Sequence, residues 1–175
     1  KKFELGLIRN HYVGRTFIEP TQNIRSLGVK LKLNSTKTII RNKNIILIDD
    51  SLVRGTTCHK IVKMLYENGA KEVHVRIACP EIKFPDFYGV DMPTKEELLA
   101  HKKNNQEMCD YIQAKSLKFL SLDGLYKALI GSKRNSNYPQ FSDHYFTGDY
   151  PIEPSDNLKG LKIKQLSLLS GKSNS

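Results

Sequence analysis

No stretch of this chain approaches the ~20 consecutive apolar residues that span a bilayer, so no membrane partner is expected. The start, Lys1-Lys2-Phe3-Glu4-Leu5-Gly6, has neither an initiating Met nor the apolar core of a secretion signal. It reads as a cut end, and a fragment of a soluble, cytoplasmic protein is expected. Cysteine is scarce: Cys58, Cys79 and Cys109 are odd in number and widely spaced. No CxxC or Cys/His spacing points to zinc or an iron–sulfur cluster, and the three read as reduced, buried thiols. Acidic residues are scarce where basic ones are dense. Residues 1–43 hold ten Lys/Arg against Glu4 and Glu19, within a net charge of +10. Such an excess suits nucleic acid, an anionic membrane or a phosphorylated substrate, and charge alone does not choose among them. A nucleic-acid module interleaves aromatics with its basic residues. Only Tyr12 and Phe17 lie near these, and they read as loop anchors, so no nucleic-acid partner is expected.

What is present suffices for one domain: 175 residues, 39% of them hydrophobic. Asn44-Ile45-Ile46-Leu47-Ile48 is a continuous β-branched run, read as a strand buried on both faces of a parallel sheet. Asp49 to Gly55 reads as a loop, and Thr56 or Thr57 as the cap of a helix. Cys58, Ile61, Val62 and Leu65 follow at helical spacing, and Asn68-Gly69 ends the run. Val73 to Ala78 is a second strand, completing a right-handed βαβ unit in an α/β fold. Thr94-Lys95-Glu96-Glu97 reads as a capping box opening a helix to about Lys103. A short helix over Gln106–Ala114, a strand over Leu117–Leu120 and a helix capped by Asp123 and ended at Gly131 follow. Residues 132–157 look irregular. The domain is set at 1–150, with 151–175 a C-terminal tail. Phe17 to Asn34 is polar, basic and weakly periodic, the pattern of a long functional loop.

The chemistry concentrates where the first strand ends. Ligands of parallel sheets bind beyond the carboxyl ends of their strands. There, Asp49 and Asp50 can accept hydrogen bonds from a vicinal diol and hold Mg²⁺ through its water shell. A small-residue loop then runs into a helix N-terminus, offering N–H groups and the positive end of a dipole to a phosphate. Gly55 is read as permitting close approach of the anion, with Thr56 and Thr57 adding hydroxyl donors. An isolated Asp-Asp after a strand is more often turn chemistry. The whole string, between a buried strand and an amphipathic helix, describes a site for ribose 5-phosphate. His59 and His74 read as packed or solvated side chains.

The stretch from Ile45 to Thr57 resembles the phosphoribosyl pyrophosphate (PRPP) signature of type I phosphoribosyltransferases, and Ser51-Leu52-Val53-Arg54-Gly55-Thr56-Thr57 is similar to its amidophosphoribosyltransferase version. Arg9 to Ile18 resembles the start of that family's catalytic loop, and Val29 to Asn34 its end. Phe84-Pro85-Asp86-Phe87-Tyr88-Gly89-Val90-Asp91-Met92 resembles a further segment, so the likeness covers about residues 5–155. It implies the parallel-sheet fold of that family, truncated at its N-terminus, with a flexible loop over about 9–34. It also implies that Asp49 and Asp50 bind the ribose hydroxyls and Mg²⁺, and that Ser51, Val53, Arg54, Gly55, Thr56 and Thr57 bind the 5-phosphate. By the same likeness Arg9, Tyr12 and Arg15 are catalytic, with Lys30 and Lys32 on the loop's return limb. The implied reaction makes 5-phosphoribosylamine from PRPP and glutamine-derived ammonia, with release of pyrophosphate, at the start of purine synthesis. A glutaminase domain that this chain lacks would supply the ammonia. A homo-oligomer and feedback by purine nucleotides are implied too. Asp86 stands where some members have a cluster-ligating cysteine, and Phe141 to Gly148 lacks paired cysteines, so no iron–sulfur cluster is expected. A PRPP-binding transcriptional regulator and a base-accepting phosphoribosyltransferase are the alternatives. The first would not need the Arg9–Phe17 segment, and the second would need a base-recognising hood.

Overall fold

A computed structural model describes residues 3–9, 33–35, 37–90, 94–137 and 139–152. Three strands form a parallel sheet in the order β3-β4-β5: β3 (Asn44–Asp49), β4 (Glu72–Ile77) and β5 (Ser116–Phe119). Their register pairs Ile45 with Val73 and Asp49 with Ile77, then Val75 with Leu117. Parallel neighbours need crossovers, and these are helical. Helix α2 (Thr56–Glu67) joins β3 to β4, and α4 (Asn105–Ile112) leads into β5. Short helices complete the described chain: α1 (Lys37–Ile40), α3 (Leu99–Lys102), α5 (Leu122–Ile130) and α6 (His144–Thr147).

The core lies on one face of this sheet. Val73, Val75 and Ile77 of β4 and Leu117 of β5 point into it, against Cys58, Ile61, Val62 and Leu65 of α2 and Met108, Cys109 and Ile112 of α4. That is the helical stripe the sequence spacing predicts, locked against the alternate residues of a strand. The opposite face is polar on β4 and β5, where His74 meets the Ser116 hydroxyl at 2.8 Å and Glu72 at 3.3 Å. On β3 that face is apolar and open. Ile48 is 71% exposed and Ile46 39%, so the burial of β3 on both faces is not met by the described residues, none of which covers this side.

Helix ends depart from expectation in three places. Helix α2 is preceded by Gly55 in the left-handed region at φ 75°, with no side-chain cap, so neither Thr56 nor Thr57 caps it. Thr94 to Glu97 does not open a long helix. It forms a 3-10 turn (Lys95–Glu97), Leu98 turns extended, and α3 restarts one residue later. The real capping box is Asn104 with Glu107, whose side chains each accept the other's backbone N–H at 3.0 and 2.8 Å. Helix α5 is capped by Ser121, which accepts the Gly124 N–H at 3.0 Å, and Asp123 lies in the first turn instead.

Two further features were not visible in the periodicity. Strands β1 (Leu7–Arg9) and β2 (Leu33–Ser35) pair antiparallel, Arg9 opposite Leu33, and so bring together the two ends of the 10–32 segment. The irregular stretch after α5 is pinned by buried polar groups. Arg134 binds Asp143 and Asp149, and His144 Nε2 meets the Asp86 carboxylate at 2.7 Å.

Candidate functional site

The acid pair sits at the carboxyl end of β3, as the strand reading requires. Asp49 is the last residue of the strand, held there by its backbone C=O, which accepts the Ala78 N–H at 2.9 Å. Its carboxylate accepts the Asp50 N–H at 3.0 Å, and the Asp50 carboxylate accepts the Ser51 hydroxyl at 2.9 Å. Asp50 is exposed and Asp49 half-buried. Burial, with the neighbouring Asp50 charge adding to it, raises the Asp49 carboxyl above its ordinary value, and the Asp50 N–H offsets part of this.

Beyond the pair, Leu52 is buried at 2% exposure and anchors the loop in the core. The first α2 amide to find a backbone acceptor is His59, bonded to the Gly55 C=O at 2.9 Å. The leading N–H groups of the helix therefore have no helical partners, beside the half-buried Thr56 and Thr57. Unpaired helix amides and hydroxyls of this kind can take an anion, and two carboxylates stand next to them, all within nine consecutive residues.

The loop is also braced by residues that the sequence reading did not include in the site. Arg54 Nε and Nη2 both donate to Glu97 Oε2, at 2.8 and 2.6 Å. The Leu99 N–H donates to the Val53 C=O at 2.9 Å. Gly55 is buried, and a Cβ there would lie 2.7 Å from Leu99 Cδ2 and 3.0 Å from Tyr111 Cε1. The packing gives Gly55 a reason of its own beside the expected approach of an anion. Its bare face is turned to α3 and α4, so the glycine serves the packing of the loop and its left-handed turn. In the sequence Glu97 stands out only as the last residue of the expected Thr94–Glu97 capping box, and its offset of 43 residues from Arg54 carries no periodic signal.

Two cysteines flank the site and are chemically quiet. Burial, with the Asp49 charge adding, pushes the Cys58 thiol up to about 12. Burial and the Asp50 charge push Cys79 up to about 11. Neither is a thiolate at neutral pH. Of the other expected site residues, Arg9 is placed by its backbone in β1, while Tyr12, Arg15, Lys30 and Lys32 lie outside the described residues. Among the described residues no group of three or more His, Cys, Asp or Glu side chains could hold a metal ion. No described helix is long and apolar enough to cross a membrane.

Comparison with known proteins gives this geometry a context. The chain is 56% identical over 169 residues to an amidophosphoribosyltransferase of Rhizobium etli, which covers 96% of this chain. It is 53% identical over 149 residues to the amidophosphoribosyltransferase of Staphylococcus aureus. Over nearly its whole length the chain matches one part of the amidophosphoribosyltransferases. It spans about a third of those relatives, 34% and 30% of their length. No protein-family model matches it. Among solved structures, glutamine PRPP amidotransferase from B. subtilis, complexed with ADP and GMP, superposes with a TM-score of 0.73 at 47% identity, over 87% of this chain and 34% of that one. A structure described as the allosteric regulatory enzyme of purine biosynthesis gives a TM-score of 0.74 at 47% identity, over 89% of this chain and 33% of that one. The fold is thus the α/β, parallel-sheet fold of the type I phosphoribosyltransferases, as the amidophosphoribosyltransferase relatives share it.

Proposed function

We propose that this chain is the PRPP-binding part of an amidophosphoribosyltransferase, which forms 5-phosphoribosylamine from PRPP and ammonia with release of pyrophosphate. The observation that carries the reading is the joining of Asp49 and Asp50 to an open helix N-terminus at the end of β3. A carboxylate pair next to an anion cradle matches a ribose whose diol and 5-phosphate must be held together. Asp49 and Asp50 accept from the ribose hydroxyls. The amides and hydroxyls between Ser51 and Thr57 take the phosphate. Mg²⁺ binds through one or two carboxylates plus substrate phosphates, so the exposed Asp50 and the half-buried Asp49 suit it without a cage of protein ligands. Bound there, the ion would offset charge on the pyrophosphate.

Displacement at the ribose C1 builds positive charge on the sugar and negative charge on the leaving pyrophosphate. Arg9, Tyr12, Arg15, Lys30 and Lys32 are the residues assigned to the second charge, and the β1–β2 pairing brings the two ends of their segment side by side. Ammonia would come from glutamine through a glutaminase domain elsewhere in the full protein. Residues 1–150 form the transferase portion and 151–175 a tail. Cytoplasmic purine synthesis, feedback by purine nucleotides and a homo-oligomeric assembly belong to the same reading, in keeping with one solved relative complexed with ADP and GMP and another described as an allosteric regulatory enzyme.

The test is calorimetric titration of Mg²⁺–PRPP into the full protein. Asp49→Asn and Asp50→Asn are each expected to weaken binding at least ~tenfold, about 1.4 kcal/mol. Unchanged affinity in both would remove the diol role. A thermal melt separates the two variants. The Asp49 carboxyl is raised in the folded state, so its ionisation costs stability as pH rises through the carboxylate range, and the cost is complete at neutral pH. Asp49→Asn should therefore bind less PRPP while melting higher than the parent at neutral pH. A lower melting temperature would show that Asp49 is a structural anchor.

A further inference from the structure

We propose that Glu97 is a positioning residue for the 51–57 loop, and that the Arg54 side chain is the tether it holds, with no direct bond to the 5-phosphate. The inference rests on the reading of this loop as the phosphate site. The loop meets the 97–111 segment at three points. Arg54 directs Nε and Nη2 to one oxygen of Glu97, the Val53 C=O takes the Leu99 N–H, and Gly55 lies against Leu99 and Tyr111. Glu97 is itself fixed. Its N–H donates to the Thr94 C=O at 2.9 Å, and it is followed at once by Leu98 and Leu99, 0% and 7% exposed, which root the turn in the core.

The pair has little to do for stability. The Arg54 and Glu97 side chains are 47% and 50% exposed, and ion pairs so open to water contribute little to folding. Geometry is what it supplies. A fork of two N–H bonds on a rooted carboxylate sets where residue 54 sits, and so where the following amides of α2 point. The hydroxyls of Thr56 and Thr57, by contrast, have no partner among the described residues and stand beside the leading amides of α2, which have no backbone acceptor. The loop thus separates its duties, with the threonines left open to a ligand and the arginine already committed.

The experiment uses the full protein with Glu97→Ala, Arg54→Gln and the exchanged pair Arg54→Glu with Glu97→Arg. Without ligand, amide hydrogen exchange across residues 51–57 should quicken in both single variants and return in the exchanged pair. PRPP affinity should fall about fivefold in each single variant and recover to within about twofold in the exchanged pair. The proposal is overturned if Glu97→Ala leaves exchange and affinity unchanged. It is also overturned if Arg54→Gln loses affinity that the exchanged pair does not recover, the behaviour of an arginine that swings onto the phosphate. A parent protein that binds no PRPP would sink the functional reading, and the exchange measurement would still decide the tether.

Discussion

Arg134→Leu should lower the unfolding free energy by about 3–5 kcal/mol at neutral pH, the range for removing one partner of a buried ion pair. The Arg134 side chain is 10% exposed and that of Asp143 only 4%. Arg134 places Nε and Nη2 on the Asp143 carboxylate and also reaches Asp149 Oδ2 at 2.6 Å, while the Tyr126 hydroxyl donates to Asp143 at 2.7 Å. Deleting the guanidinium leaves a carboxylate enclosed with only two neutral donors, the hydroxyls of Tyr126 and Thr147. Burial alone would push the Asp143 carboxyl up, but Arg134 and Tyr126 outweigh it and hold it below its ordinary value. A group depressed in this way adds stability above the unfolded carboxylate range and loses it as pH falls through the folded value. In the variant this ordering reverses, because an unpaired buried carboxyl prefers its proton. The deficit should therefore shrink between neutral pH and about pH 4. Urea unfolding at both pH values checks this. A neutral-pH loss under about 1 kcal/mol would class the network with exposed ion pairs.

Gly55→Val is the second large effect, and the structure changes its meaning. A side chain at φ 75° meets the left-handed penalty of ~1–2 kcal/mol, and more for a β-branched residue. Its Cβ would also sit 2.7 Å from Leu99 and 3.0 Å from Tyr111, and overpacking of this kind costs ~1–3 kcal/mol. A destabilisation of about 2–5 kcal/mol follows, with PRPP binding lost because the loop is displaced. Gly55→Ala should fall in the lower part of that range, since it carries the same backbone strain and Cβ clash with no further bulk. Denaturant unfolding alongside PRPP titration separates the causes. Parental stability with lost binding would return the bare face of Gly55 to the phosphate.

The candidate site was legible because it is contiguous. Asp49 to Thr57 follow one another along the chain, after a strand that reads as an unbroken apolar run and before a helix with a local period of 3.6 residues. Both signals are local, so one sequence suffices to place the βαβ unit, its core stripe and the acid pair at the strand end. Helix ends were less legible. Thr94–Glu97 and Asn104–Glu107 both have capping-box chemistry, and only the burial of Leu98 and Leu99 decided that the first would stop as a single turn.

The residues of this chain alone determined an α/β parallel unit, the carboxylates and phosphate loop it presents, and a basic first quarter. Tertiary structure alone decided that Arg54 turns to Glu97, that Gly55 faces α3 and α4, that β1 pairs with β2, and that His144 closes on Asp86. It also left Ile46 and Ile48 uncovered among the described residues, although their strand reads as buried throughout. The reason is common to all of these. Periodicity and capping are written in neighbours a few residues apart. The partners of Arg54 and Asp86 stand 43 and 58 residues away, and only the folded chain brings them within a hydrogen bond.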